Sequence, residues 1–173
     1  MPIQPARPDD LPAIRAAYAH AREFQRELGA SLWSEFPDSA IVAEIDAGCL
    51  YAVREEGFLA GVFTVAREDP AIWGDLERGE HLYLHRIARA AGYPGRGLFR
   101  AVLDWARAEC RRTGRACVRM DTWSSNGPLI AYYERQGFRL VGRRRIPADP
   151  RLPAAYHGLE LALLEEAGPP APA

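Results

Sequence analysis

The segment from His81 to Phe138 constrains the fold more than any other part of the chain. It reads as a strand-like run (HLYLHRIARA), a glycine-punctuated turn opening a helix (YPGRGLFRAVLDWA), a second strand-like run (ACVRMDT), and then SSNGPLIAYYERQGF. A strand that feeds a glycine-rich turn into a helix aims several backbone N–H groups outward at the helix N-terminus. The macrodipole also favours negative charge there, so such a turn can hold a phosphate. In the helix after the second strand, Asn126 and Tyr133 stand about two turns apart, which puts an amide and a phenol on one face roughly 10 Å from each other.

These residues resemble the GNAT superfamily of N-acetyltransferases, whose core runs strand, R/Q-x-x-G-x-G/A, helix, strand, N-x-x-A-x-x-x-Y-x-x-x-G-F. Pro94-Gly95-Arg96-Gly97-Leu98-Phe99 takes the loop position, and Asn126, Tyr133, Gly137 and Phe138 fall at the spacing of the second motif. Three positions depart from the pattern: Pro94 replaces Arg or Gln, Phe99 replaces a small residue, and Leu129 replaces the small residue after the asparagine. A lone G-x-G is weak, whereas two motifs in order, separated by a helix and a strand, are a fairly specific signal. The resemblance implies an α/β fold with a mixed, mostly antiparallel, splayed sheet and helices on both faces. It implies one acyl-CoA N-acyltransferase domain over residues 1–166, followed by a disordered Pro/Ala tail over 167–173.

Composition agrees with a small enzyme. At 173 residues the chain suits one domain that buries most of its apolar surface without disulfides or metals. Net charge is −1 and the pI is near 6.4, which leaves no electrostatic footprint for nucleic acid. All 22 basic residues are arginine, which with the abundant Ala, Gly and Pro reads as coding bias rather than an RNA-binding signature. Cys49, Cys110 and Cys117 cannot all pair within the chain and read as reduced, structural thiols. No apolar run approaches a membrane span, and MPIQPARPDD lacks the apolar core of a signal peptide. A cytoplasmic location without membrane partners is expected, and a homodimer is allowed for.

Along the chain, Ile3 to Arg7 reads as a strand, and Pro8-Asp9-Asp10 starts a helix with Leu11, Ile14, Ala17 and Tyr18 at helical spacing. Pro37-Asp38-Ser39 starts a second helix carrying Ile41, Val42 and Ile45. Leu50 to Arg54 and Phe58 to Ala66 form a hairpin around Glu55-Glu56-Gly57. Arg67 to Glu80 reads as a polar loop. A helix from Arg96 or Gly97 to Arg112 carries the stripe Leu98, Val102, Trp105 and Ala106, and Gly114 stops it. Late strands over Phe138 to Arg144 and His157 to Leu163, joined through Pro147, Pro150 and Pro153, complete the sheet.

The resemblance assigns roles to these positions. Gly95, Arg96, Gly97, Leu98, Phe99 and Arg100 would hold the pyrophosphate, with Arg96 and Arg100 able to add charge-assisted bonds or to remain solvated charges. Backbone groups of Ile87, Ala88 and Arg89 would pair with the pantetheine arm of acetyl-CoA. Asn126 suits both a helix N-cap and a cofactor contact. Tyr133 aligns with the family's tyrosine and can protonate a leaving thiolate while keeping its own proton at neutral pH. Tyr132 then goes to the core. Asp121, at a strand end, and His85, beside the cofactor strand, are alternative general bases. Each also reads as an ordinary sheet residue. Trp33 and Phe36 either line the acceptor pocket or anchor their segment to the core. Glu68, Asp69, Asp75, Glu77 and Glu80 either attract a cationic amine or form a solvated surface. His81 and His85 show no third partner, so no metal is expected. The implied reaction is direct attack of a primary amine on acetyl-CoA in a ternary complex. An acyl-CoA-binding sensor without turnover is the alternative. A Rossmann-type nucleotide binder is disfavoured by the lack of G-x-G-x-x-G near the first strand.

Overall fold

The computed structural model describes residues 1–29, 33–150, 152 and 156–166. The expected tail over 167–173 and Pro153 lie outside these residues. Seven strands form one sheet in the order β1-β2-β3-β4-β5-β7-β6: β1 Ile3–Pro5, β2 Leu50–Glu55, β3 Phe58–Ala66, β4 Leu82–Arg89, β5 Val118–Trp123, β6 Phe138–Arg145 and β7 Glu160–Glu166. The helices are α1 Leu11–Glu27, α2 Asp38–Asp46, α3 Pro70–Trp73, α4 Leu98–Thr113 and α5 Gly127–Arg135. Pairing is antiparallel for β1–β2, β2–β3, β5–β7 and β6–β7, and parallel for β4–β5. The sheet is therefore mixed and mostly antiparallel, with flanking helices, as expected. The chain divides into two compact units, Met1–Val65 with Leu84–Ala106, and Ala66–Tyr83 with Arg107–Ala173. Among the described residues no helix is long and apolar enough to cross a membrane.

In the first unit the β2–β3 hairpin turns through Glu56 and Gly57, at φ 50° and 85°. Two consecutive residues at positive φ make the two-residue turn whose twist matches antiparallel strands. Ile14, Ala17 and Tyr18 of α1 and Ile41 and Ile45 of α2 are buried together with Leu50, Ala52, Val62 and Ala88 of the strands. Each large apolar side chain so buried contributes about 1.5–3 kcal/mol. Val42, expected on the apolar side of α2, is exposed instead, because α2 has only nine residues and Ile41 and Ile45 alone meet the core. A second aromatic group joins α4 to the hairpin: Trp105 packs 4.5 Å from Tyr51 and 5.2 Å from Phe63, ring centre to ring centre.

The second unit corrects two expectations. Arg67 to Glu80 is not a loop, since Pro70–Trp73 is a helical turn followed by a 3-10 turn over Gly74–Leu76. Asp69 accepts from the Ile72 N–H at 3.3 Å, proline starts the turn, and Gly74 ends it at φ 52°. Ala71, Ile72 and Trp73 are buried, the last two in a core with Tyr83, Ile146, Leu161 and Leu163. The last strand spans Glu160–Glu166 rather than His157 to Leu163. Its ladders with β5 and β6 run on through Glu165 and Glu166, whose charges are paired: Glu165 with Arg119 and Arg139, and Glu166 with Arg107. Acidic letters at a strand end read as solvent in sequence, but here guanidinium partners satisfy them inside the ladder.

Candidate active site

The first unit carries the proposed donor-binding elements. β4 leaves the ladder pairs Leu82↔Val118 and Tyr83↔Arg119 and continues through His85, Arg86, Ile87, Ala88 and Arg89. Arg86 sits at φ 49°, one of only two non-glycine residues at positive φ among those described. The turn after β4 takes positive φ at Gly92, Gly95 and Gly97 (78°, 76° and 73°). It is tied by Tyr93 N–H to the Ala90 carbonyl at 3.2 Å, and by Leu98 N–H to the Gly95 carbonyl at 3.3 Å. Arg89 donates to the Tyr93 carbonyl, so its guanidinium braces the turn. A Cβ on Gly95 would come within 2.9 Å of the Arg89 Cδ, whereas one on Gly97 would meet only Met1 Cε, at 3.7 Å. Gly95 is thus the packed glycine and Gly97 the open one. Leu98 is buried and Phe99 half-buried, while Arg96 and Arg100 are exposed, Arg100 lying 3.9 Å from Asp104 one turn on. The helix begins at Leu98, one or two residues later than expected, because both glycines before it hold left-handed backbone.

The same unit holds the segment between α1 and α2. Arg22 Nε donates to the Trp33 carbonyl at 3.1 Å, and Gln25 Oε1 accepts from the Trp33 N–H at 2.9 Å. Trp33 and Phe36 are half-buried and stand around Tyr18, at ring-centre distances of 6.3 and 4.9 Å. Both therefore pack on the α1–α2 core as partly buried residues. Arg86 reaches this group from β4. Its guanidinium carbon lies 4.9 Å from the Phe36 ring centre, and Nη2 bonds Glu44 and, at 3.1 Å, Thr64 Oγ1. Nothing in the sequence pointed to Arg86, Glu44 or Tyr18 as site residues. A strand arginine, a helix glutamate and a core-spaced tyrosine carry no motif, and only the left-handed Arg86 backbone brings them into view.

The second unit carries Asn126, Tyr133 and Asp121. Asn126 is the N-cap of α5: its Oδ1 accepts from the Leu129 N–H at 3.2 Å, with proline in the first turn. Tyr133 is half-buried, 5.6 Å from the Tyr132 ring centre and 6.2 Å from that of Phe138. Burial, then the neighbouring Tyr132 and Asp121, raise its phenol pKa, so it is neutral at physiological pH. Tyr132 is half-buried as well and so is not the core ring expected of it. Ile130 is the one fully buried residue of this helix. Asp121 is half-buried in β5, opposite Leu163 of β7, and His85 is half-buried in β4 of the other unit.

His81 does have neighbours of ligating type, contrary to expectation: atoms of His81, Cys117 and Glu165 lie within 4.8 Å of one another. Both Glu165 oxygens already accept from guanidinium groups, Oε2 from Arg119 Nε and Nη2 at 2.9 and 2.7 Å, and Oε1 from Arg139 at 2.6 Å. Burial pushes the Cys117 thiol up to about 12 and lowers the His81 pKa, so the group is a neutral thiol and imidazole beside an ion-pair network. All three cysteines are free.

Comparison with known proteins agrees with this geometry. The chain is 27% identical over 146 residues to the uncharacterized N-acetyltransferase YesJ of Bacillus subtilis (strain 168), covering 80% of this chain and 81% of that protein. It shares its fold with a GNAT-family acetyltransferase from Listeria monocytogenes 4b F2365, with a TM-score of 0.71 at 23% identity over 95% of this chain and 94% of that one. It also shares it with yncA from Salmonella typhimurium, solved with its cofactor acetyl-CoA, with a TM-score of 0.64 at 19% identity over 99% of each chain. The model of the acetyltransferase (GNAT) family matches residues 13–138, a span that takes in all but the first two residues of α1, β4 with its glycine turn, and the Asn126–Phe138 motif, and the chain belongs to that family.

Proposed function

We propose that this chain is an N-acetyltransferase that moves the acetyl group of acetyl-CoA to a primary amine by direct attack. The observation that carries the reading is the β4 strand followed by a turn with three glycines at positive φ opening α4. Such a turn presents backbone N–H groups and the helix dipole to an anion. In this reading the N–H groups from Gly95 to Arg100 other than that of Leu98, which bonds the Gly95 carbonyl, hold the pyrophosphate, with Arg96 and Arg100, both exposed, adding charge. Phe99 is half-buried in the first turn of α4. Ile87, Ala88 and Arg89 pair with the pantetheine arm, and an N–H of that stretch stabilises the tetrahedral oxyanion. Asn126 keeps its capping role and adds a cofactor contact.

The amine arrives mostly as ammonium, so its proton must leave before attack. Asp121 or His85 takes it, directly or through water. Collapse of the tetrahedral intermediate breaks the C–S bond, and Tyr133 protonates the departing thiolate. Its raised pKa keeps the phenol protonated at neutral pH, so that the proton is present when the thiolate departs. Trp33 and Phe36, both partly buried, line the acceptor's side of the site in this reading. The catalytic domain spans residues 1–166, as a cytoplasmic enzyme requiring no metal, and free thiols suit a reducing compartment. The structure bound to acetyl-CoA among the fold's relatives supports the donor. The test is a thermal shift. Acetyl-CoA and coenzyme A should each stabilise the protein, by about 2.7 kcal/mol at a hundred times Kd, and NAD should do far less. A larger response to NAD would reject the assignment.

A further inference from the structure

Arg86 holds a left-handed backbone, at φ 49°, inside strand β4. Among the described residues the other non-glycine at positive φ is Glu56, and the two-residue turn of the β2–β3 hairpin requires it there. No turn requires it of Arg86. For a residue with a side chain this backbone is disfavoured roughly five- to thirtyfold, and it persists where the surroundings over-determine it. Here the anchors of the side chain do so. The guanidinium side chain is 16% exposed; its Nη2 donates to Glu44 of α2 and, at 3.1 Å, to Thr64 Oγ1 of β3, and its central carbon lies 4.9 Å from the Phe36 ring centre. Thr64 itself is buried, at 5% exposure. An ion pair, a buried hydroxyl and an aromatic face therefore fix the far end of the side chain. What the left-handed residue aims is the next peptide group, because the ψ of Arg86 orients the plane that carries the Ile87 N–H. Further on, the Ala90 N–H bonds the Ala60 carbonyl of β3 at 2.9 Å. By strand alternation the backbone groups of Ala88 share that edge, and those of Ile87 and Arg89 turn to the opposite one. The Ala88 carbonyl is also pressed on β3, only 2.7 Å from where a Cβ of Gly61 would stand. Ile87 is thus held from both sides, by β3 after it and by the anchors of Arg86 before it.

We propose that Arg86 is a positioning residue for acetyl transfer. Glu44 and Thr64 hold its guanidinium, the held side chain keeps the backbone left-handed, and that backbone aims the Ile87 N–H at the thioester carbonyl oxygen of acetyl-CoA. Arg86 and Glu44 touch neither cofactor nor acceptor in this role. They act through the peptide group that follows Arg86. The inference rests on the oxyanion role given to the Ile87 to Arg89 stretch, and it adds the two residues that set the direction of the donor.

The carbonyl itself reports the outcome, without an acceptor. Acetyl-CoA carrying an NMR-active carbon isotope at the acetyl carbonyl is bound to the full chain, and its resonance is compared with that of free acetyl-CoA; a hydrogen bond to the oxygen moves the signal downfield. The wild-type chain should show this displacement. Arg86→Met keeps an unbranched side chain but loses every polar anchor. It should lose most of the displacement, and its affinity for acetyl-CoA relative to coenzyme A, measured by calorimetry, should fall about two- to tenfold, as for one lost hydrogen bond. Arg86→Gly loses the same anchors but adopts positive φ readily, so it should keep more of the displacement than Arg86→Met. A side chain that touched the cofactor, or served stability alone, would not give that order. Glu44→Gln, which weakens the anchor and leaves Arg86 in place, should fall between the wild type and Arg86→Met. An unchanged displacement in Arg86→Met, or Arg86→Gly retaining no more of it than Arg86→Met, would overturn the proposal. If Arg86→Met does not fold, judged by melting, Glu44→Gln decides: an unchanged displacement overturns it. Wild-type binding of acetyl-CoA with no displacement overturns the proposal and leaves the donor reading standing, whereas no binding of acetyl-CoA by the wild type removes the donor reading and the proposal together.

Discussion

Tyr133 is where the proposed chemistry is most exposed to test at the level of one residue. Its phenol is raised by burial, then by Tyr132 and Asp121, so it remains protonated through the working range. Tyr133→Phe should keep the ring contact with Phe138, leave acetyl-CoA affinity nearly intact, and lower turnover by about 10²–10⁴. Tyr132→Phe should change turnover little. Steady-state rates on a turned-over amine decide between them, provided chemistry limits the rate. The pH dependence follows from the sign of the shift. Because the phenol pKa lies above its ordinary value of about 10, the rate should rise with pH as the ammonium loses its proton, then level off without an alkaline fall below about pH 10. A fall between pH 8 and 9.5 would show that another group donates the proton. Tyr133 and Asn126 were legible in sequence because their spacing is a motif. Arg86 and Glu44 were not, because they meet across 42 residues and only folding places one beside the other.

At the scale of elements, two glycines in one unit make opposite predictions. Gly97 has open space where a Cβ would point but a φ of 73°, so Gly97→Val strains the backbone rather than the packing. It should cost about 1–2 kcal/mol of stability and weaken acetyl-CoA binding, because the turn's N–H groups lose their aim. Gly61 has ordinary backbone, but a Cβ there would stand 2.7 Å from the Ala88 carbonyl and 2.8 Å from the Leu98 side chain. Gly61→Ala should cost about 1–3 kcal/mol by overpacking, measured by denaturant unfolding. It should also disturb acetyl-CoA binding through the start of α4. The elements were legible where period and punctuation agree: the hairpin from Gly57, α1 and α4 from their apolar stripes, and α5 from Asn126 and Pro128. The four-residue α3 was missed because one turn gives no period to read, and β7 was shifted because its acidic end is satisfied by arginines far away in sequence.

For the molecule as a whole, pH acts on stability through the buried ion pairs of Glu165. Burial alone would raise Glu165, but hydrogen bonds from Arg139 and Arg119 outweigh it and hold its carboxyl below the ordinary range. A carboxylate with a depressed folded pKa adds stability that is complete above its unfolded pKa of about 4.3 and lost as pH falls through the folded value. The second unit should therefore lose stability below about pH 4.5. Glu165→Gln, which leaves buried Arg119 unpaired, should cost about 3–5 kcal/mol at neutral pH and remove that part of the acid transition, as followed by circular dichroism. The turn before α4 was legible from glycine spacing, and Asn126 and Tyr133 from the second motif. The group of Trp33 and Phe36 around Tyr18 was legible only as two aromatic letters in a connecting segment. The central claim, that this chain transfers acetyl from acetyl-CoA to an amine, is tested most directly by incubating it with acetyl-CoA and a panel of primary amines and measuring free thiol. The account predicts thiol release that depends on the amine and matches the acetylated amine one for one. Saturable acetyl-CoA binding with no amine-dependent thiol would contradict it and leave the chain an acyl-CoA sensor.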